Sequence, residues 1–134
     1  MSLQTSFAFL VAFLAHKKAL LLELCLHSAD LSNPLAKSFG VARRWALRIC
    51  EEFAAQVKKE RASGLTPAPF MDITNMQAVG KLQCTYTDYV VKPYFSALAV
   101  IFPELSEQLD RMAAHRHKWQ QIADNVANAA IPFP

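Results

Sequence analysis

The chain has 134 residues, 53% hydrophobic and 19% charged, which is room for one domain with a real core and excludes disorder over most of the length. Its net charge of +3 comes without a basic stripe or interleaved aromatics, so no nucleic-acid footprint is present. With only three glycines and long stretches free of turn residues, helices are favoured over strands.

The first helical stretch runs from about Ser6 to His27 and is apolar on nearly every face until Lys17. Within it, FAFLVAFLA (Phe7 to Ala15) is shorter than the roughly 20 residues of a membrane span. It also lacks the positive leader of a signal peptide. A buried core helix is the reading, with a membrane or targeting segment as the alternative. HSADLSNP (His27 to Pro34) closes this stretch. Asp30 can simply order a turn with Ser32, Asn33 and Pro34 behind it, or it can face a ligand together with His27 one turn earlier. Two such groups are too few for a metal site.

A second helix, from about Val41 to Ala62, shows Val41, Trp45, Ile49 and Phe53 at every fourth position, with charged residues on its other faces. Gly64 looks like its C-cap and opens a proline-containing loop, Ser63 to Asp72. A third stretch, from about Asn75 to Phe102, contains Pro93, which predicts a kink or break. Gln83 and Tyr86 lie one turn apart on it, with Val79 and Val90 extending their face. An amide and an aromatic so placed suit a nucleobase, and equally suit a polar residue beside a core tyrosine at a bundle edge. Pro103 opens the last helix, about Glu104 to Asn128, with an apolar stripe of Leu105, Leu109, Met112, Trp119, Ile122 and Val126. His115 and His117 fall on roughly opposite faces and read as solvated surface, and residues 128–134 as a frayed tail. Cys25, Cys50 and Cys84 are odd in number and widely spaced, which points to free thiols in a reducing, cytoplasmic setting.

The order of the motifs is more specific than any one of them. HSADLSNP, a tryptophan followed by EEF, GL with a proline-rich loop ending in Asp72, Q-x-x-Y-x-D-Y-V-V-x-P, and R-x-x-W together resemble the C-terminal part of the class I cyclic nucleotide phosphodiesterase catalytic domain. The likeness covers roughly Leu20 to Trp119. It implies an all-α helical bundle that is part of that larger domain, with residues 1–19 unassigned, 20–127 in the partial domain and 128–134 a tail. It implies that Asp30 ligates one of two divalent metal ions, Zn2+ and Mg2+ in the complete site. It further implies that Gln83 binds a purine, that Tyr86 and Ile49 clamp the base, and that Phe53 and Asn33 line the same pocket. Phenylalanine is usual where Tyr86 stands. QVKKE (Gln56 to Glu60) replaces Q-G-D-x-E, and one extra residue separates Pro34 from Trp45.

The family's remaining metal ligands and its acid are histidines and a His-Asp pair from upstream motifs, and this chain has four histidines and no His-Asp dipeptide. The expectation is a base-binding part of an enzyme that hydrolyses cAMP or cGMP to the 5'-monophosphate, inactive alone and marginally stable as a monomer. Its partner would be the missing N-terminal part of the catalytic domain. Nucleic acid is not a partner in this reading, and a membrane is disfavoured. The alternative is a non-catalytic helical module that binds a nucleotide or a partner through its apolar surface.

Overall fold

Ser38 and Asn75 set the starts of two helices. In each, the capping side chain accepts a bond from a backbone N–H of the first turn, Val41 N–H to Ser38 Oγ at 3.4 Å and Ala78 N–H to Asn75 Oδ1 at 2.9 Å. The computed structural model describes the backbone of residues 3–131 and 133, and side chains from residue 17 onward. Its helices are α1 (Leu3–Asp30), α2 (Phe39–Ala62), α3 (Met76–Tyr86), α4 (Lys92–Ile101) and α5 (Ser106–Asp124). Short 3-10 turns stand at Asn33–Leu35, Pro69–Met71, Pro103–Leu105 and Val126–Ala129, and no strand occurs among the described residues. This is the all-α fold the sequence predicts. The chain divides into two compact units, Met1–Ser32 and Asn33–Pro134.

The first unit is α1 with the residues that flank it. Leu20, Leu21, Leu22 and Leu26 are exposed on it. The side chains of Phe7 to Ala15, whose burial the sequence raises as a question, lie outside the described ones. Among the described residues no helix is long and apolar enough to cross a membrane.

In the second unit the core cluster joins Ala46 and Cys50 of α2, Met76, Val79 and Cys84 of α3, and Trp119 of α5. α3 and α5 approach closely because position 80 is glycine. A Cβ there would lie 2.7 Å from the Ala123 backbone nitrogen and 2.9 Å from the Trp119 carbonyl oxygen. α2 ends where its sequence says it should. Gly64 takes φ +73°, the Leu65 N–H bonds the Glu60 carbonyl at 2.9 Å, and the Gly64 N–H bonds the Arg61 carbonyl at 3.1 Å, which together make a Schellman cap.

Several sequence expectations need correction. The buried residues of α2 are Ala42, Ala46 and Cys50, each one residue along from the predicted stripe, with Val57 further on, and Trp45 is 44% exposed. Small side chains let α2 approach the core, while the larger ones flank that contact. Pro93 does not break its helix: helical backbone runs through it from the π turn to Ile101. A single π turn, Thr87–Val91, precedes α4, and the Lys92 N–H reaches back five residues to the Thr87 carbonyl. Pro93 follows directly on this turn, where the altered bonding of the backbone leaves room for a residue without an N–H. The last helix stops at Asp124, which leaves Val126 exposed. The terminal segment is tied down rather than frayed: the Met76 N–H bonds the Ile131 carbonyl, the Phe133 N–H bonds the Thr74 carbonyl, and Phe133 packs against the core. His115 is buried and not on a solvated surface, while His117 is exposed as expected.

Candidate functional site

The second unit contains a cavity of about 430 Å³ walled mainly by α2, α3 with the π turn that follows it, and the Asn33–Leu35 turn. Ile49 and Phe53 enter it from α2, one turn apart and half-buried, because the small-residue face beside them is turned to the core. Gln83 and Tyr86 enter from α3. Gln83 is 8% exposed, so a carboxamide with donor and acceptor capacity is held within a largely apolar wall. Asn33 contributes a second amide from the turn. The five residues named for a base pocket from the sequence therefore line one cavity. Of the two valines placed on their face, Val90 lines the cavity and Val79 is fully buried in the core.

Sequence reasoning missed part of the wall. Phe70, on the short turn of the proline-rich loop, meets Phe53 edge to face at 5.7 Å, and Tyr89 stands 80% exposed at the rim. Trp119 lines the interior from α5. Loop residues such as Phe70 carry no periodic signal, so only their neighbours in space identify them. The loop is also held by an Arg61–Asp72 ion pair at 2.6 Å, whose exposed position gives it little weight in stability.

A polar clasp fixes the π turn to α5. Arg116 donates to Asp88 through Nε at 3.1 Å and through Nη2 at 2.7 Å, and its Nη1 donates to Gln120 Oε1 at 2.8 Å. The guanidinium holds the Asp88 carboxyl below its ordinary range. Burial, with Glu51 adding to it, pushes the Cys50 thiol up to about 11, and burial likewise raises Cys84. Both are inert core thiols, whereas Cys25 is exposed.

Asp30 is the last residue of α1 and is exposed at the end of the first unit, as is His27. Among the described residues no group of three or more His, Cys, Asp or Glu side chains gathers to hold a metal ion. A divalent centre takes three or four protein ligands, so the donors among the described residues do not by themselves fit one.

Comparison with known proteins follows the same line. The family model described as 3'5'-cyclic nucleotide phosphodiesterase matches residues 5–112. The 3',5'-cyclic-AMP phosphodiesterase, isoform F, of Drosophila melanogaster is 35% identical over 102 residues, covering 75% of this chain and 15% of the relative. The 3',5'-cyclic-AMP phosphodiesterase 4C of Rattus norvegicus is 38% identical over 101 residues, covering 75% of this chain and 18% of the relative. Two crystal structures of the phosphodiesterase domain of a rhodopsin phosphodiesterase from Salpingoeca rosetta superpose with TM-scores of 0.78 and 0.80 at 34% and 32% identity. They cover 81% and 86% of this chain, which spans 34% and 35% of theirs.

Proposed function

Because the chain belongs to the 3',5'-cyclic nucleotide phosphodiesterase family, we propose that its cavity binds the purine ring of a 3',5'-cyclic nucleotide. The observation that carries this reading is the convergence of Gln83, Tyr86, Ile49, Phe53 and Asn33 on one cavity of about 430 Å³. A buried carboxamide offers a base edge one acceptor and a pair of donors. Tyr86 and Ile49 offer faces between which a flat ring can lie, and stacking on an aromatic contributes about 1–3 kcal/mol per base.

The whole enzyme, in this reading, hydrolyses the cyclic nucleotide to its 5'-monophosphate in the cytoplasm. The named relatives act on cyclic AMP, which makes cyclic AMP the first ligand to test. Asp30 supplies one carboxylate to a divalent-metal centre whose other ligands come from the remainder of the catalytic domain. The donors among the described residues gather no such centre, so we assign the chain base binding and no bond-breaking step.

The test is a titration of the isotopically labelled 134-residue chain with 3',5'-cAMP, followed by NMR, with product analysis in parallel. The Gln83 side-chain amide should shift on saturation, and Gln83→Leu should weaken binding about tenfold or more, since it leaves the base edge unpaired. No 5'-AMP should form. An unmoved Gln83 amide at millimolar nucleotide would remove the base-pocket reading, and release of 5'-AMP by the chain alone would remove the division of labour.

A further inference from the structure

His115 is 5% exposed, and the base pocket as described does not use it. Its Nδ1 lies 2.8 Å from the carbonyl oxygen of Pro34, 81 residues away in the chain. A carbonyl only accepts, so Nδ1 carries the proton and donates. Pro34 has no N–H of its own, which leaves its carbonyl as the one backbone group by which neighbouring structure can grip it. The turn around it is short, and the bond from the Ala36 N–H to the Asn33 carbonyl is long, at 3.3 Å. The imidazole is itself braced. It packs against Phe39 at 5.7 Å, and Phe39 meets Trp119 edge to face at 5.0 Å. One turn of α5 thus presents Trp119 to the cavity interior and His115 to the turn that carries Asn33 into the same cavity.

We propose that His115 is a positioning residue: its Nδ1–H grips the Pro34 carbonyl and so fixes the Asn33–Leu35 turn that presents Asn33 to the base cavity. The part of this that concerns nucleotide affinity rests on the base-pocket reading above. The part that concerns the turn does not.

The experiment compares the full chain with His115→Phe, which keeps a ring without the donor, and His115→Asn, whose amide nitrogen can donate from nearly the same place. In the unaltered chain, long-range proton–nitrogen spectra should show the Nδ1–H tautomer. The Asn33 amide resonances should move in His115→Phe and return in His115→Asn. Affinity for 3',5'-cAMP should fall about tenfold in the first and recover to within about threefold in the second, as loss of one buried bond partner predicts. Unmoved Asn33 resonances in His115→Phe, an Nε2–H tautomer, or equal damage or unfolding in both variants would overturn the proposal, the last by showing that only ring packing matters. If His115→Phe alone unfolds and His115→Asn keeps the Asn33 resonances in place, the donor is required. If the chain binds no nucleotide while Asn33 still moves and returns, the base-pocket reading fails and the grip on the turn stands.

Discussion

Gly80→Ala places a methyl group where α3 and α5 touch. In an unobstructed helix this change stabilises by about 0.5–1 kcal/mol, because alanine loses less backbone freedom than glycine. Here the new Cβ would sit 2.7 Å from the Ala123 nitrogen, 2.9 Å from the Trp119 carbonyl oxygen and 3.1 Å from the Ala123 Cα. Comfortable carbon contacts lie at about 3.5–4.0 Å, so the helices must part by most of an ångström. A gap of that size forfeits about a quarter to a half of the attraction between facing atoms. All three obstructing atoms are backbone and cannot rotate away, which places the cost near the upper end of the overpacking range, about 3 kcal/mol. The net loss is then about 2 kcal/mol, or a fall of about 6–8 °C in Tm for a chain of this size. Urea unfolding followed by circular dichroism measures it. Gly40→Ala in α2 is the internal control: the nearest atom to its Cβ is Ser38 Oγ at 3.9 Å, and it should gain about 0.5 kcal/mol. A Gly80→Ala chain as stable as the parent would refute the claim that this glycine sets the spacing of α3 and α5.

Asp88→Asn should lower stability at neutral pH, and the gap should close on acidification. The folded carboxyl titrates below its ordinary value near 3.8, so its contribution is complete above that value and disappears as pH falls through the depressed one. A pH series of urea midpoints from 7 to about 2 reads the effect, and a gap that persists below both values would contradict the assignment. Thiol titration with an aromatic disulfide should give one fast group, Cys25, with Cys50 and Cys84 reacting only after unfolding. Rapid modification of two or three groups in the folded chain would show that the core opens more readily than its packing implies.

Much of this arrangement was legible before any coordinates. Helix class follows from the apolar spacing, which gives four helical stretches where the described residues form five α-helices because the π turn divides the third into α3 and α4, and the order of motifs brought Asn33, Ile49, Phe53, Gln83 and Tyr86 together as pocket residues. What periodicity did not separate is an apolar side chain facing the core from one facing a cavity. On α2 the bulky residues Ile49 and Phe53 line the cavity while Ala42, Ala46 and Cys50 meet the core, so the stripe judged by size sits one residue off the buried face. His115 was misplaced because its partner, the Pro34 carbonyl, is far away in sequence. The spacing of Met112, His115 and Trp119 was the available signal, since those positions share one helix face. The tie between Ile131 and Met76 is backbone to backbone and has no side-chain signature at all.

The π turn has a consequence for how the chain tolerates change. Thr87, Val91 and Phe95 are all buried, at successive intervals of four, and each such interval overshoots an ordinary helical turn by about 40°. The wider turn at Thr87–Val91 absorbs that overshoot. Deleting one residue there would leave a regular α-helix in which Phe95 and Leu98 keep their face, because the wide turn already accommodates the extra residue, whereas Tyr89 and Val90, inside the turn, would lose their places at the cavity rim. The extra residue of this segment thus serves the cavity rim and not the core, and losing it should disturb the rim while sparing the packing of Phe95 and Leu98.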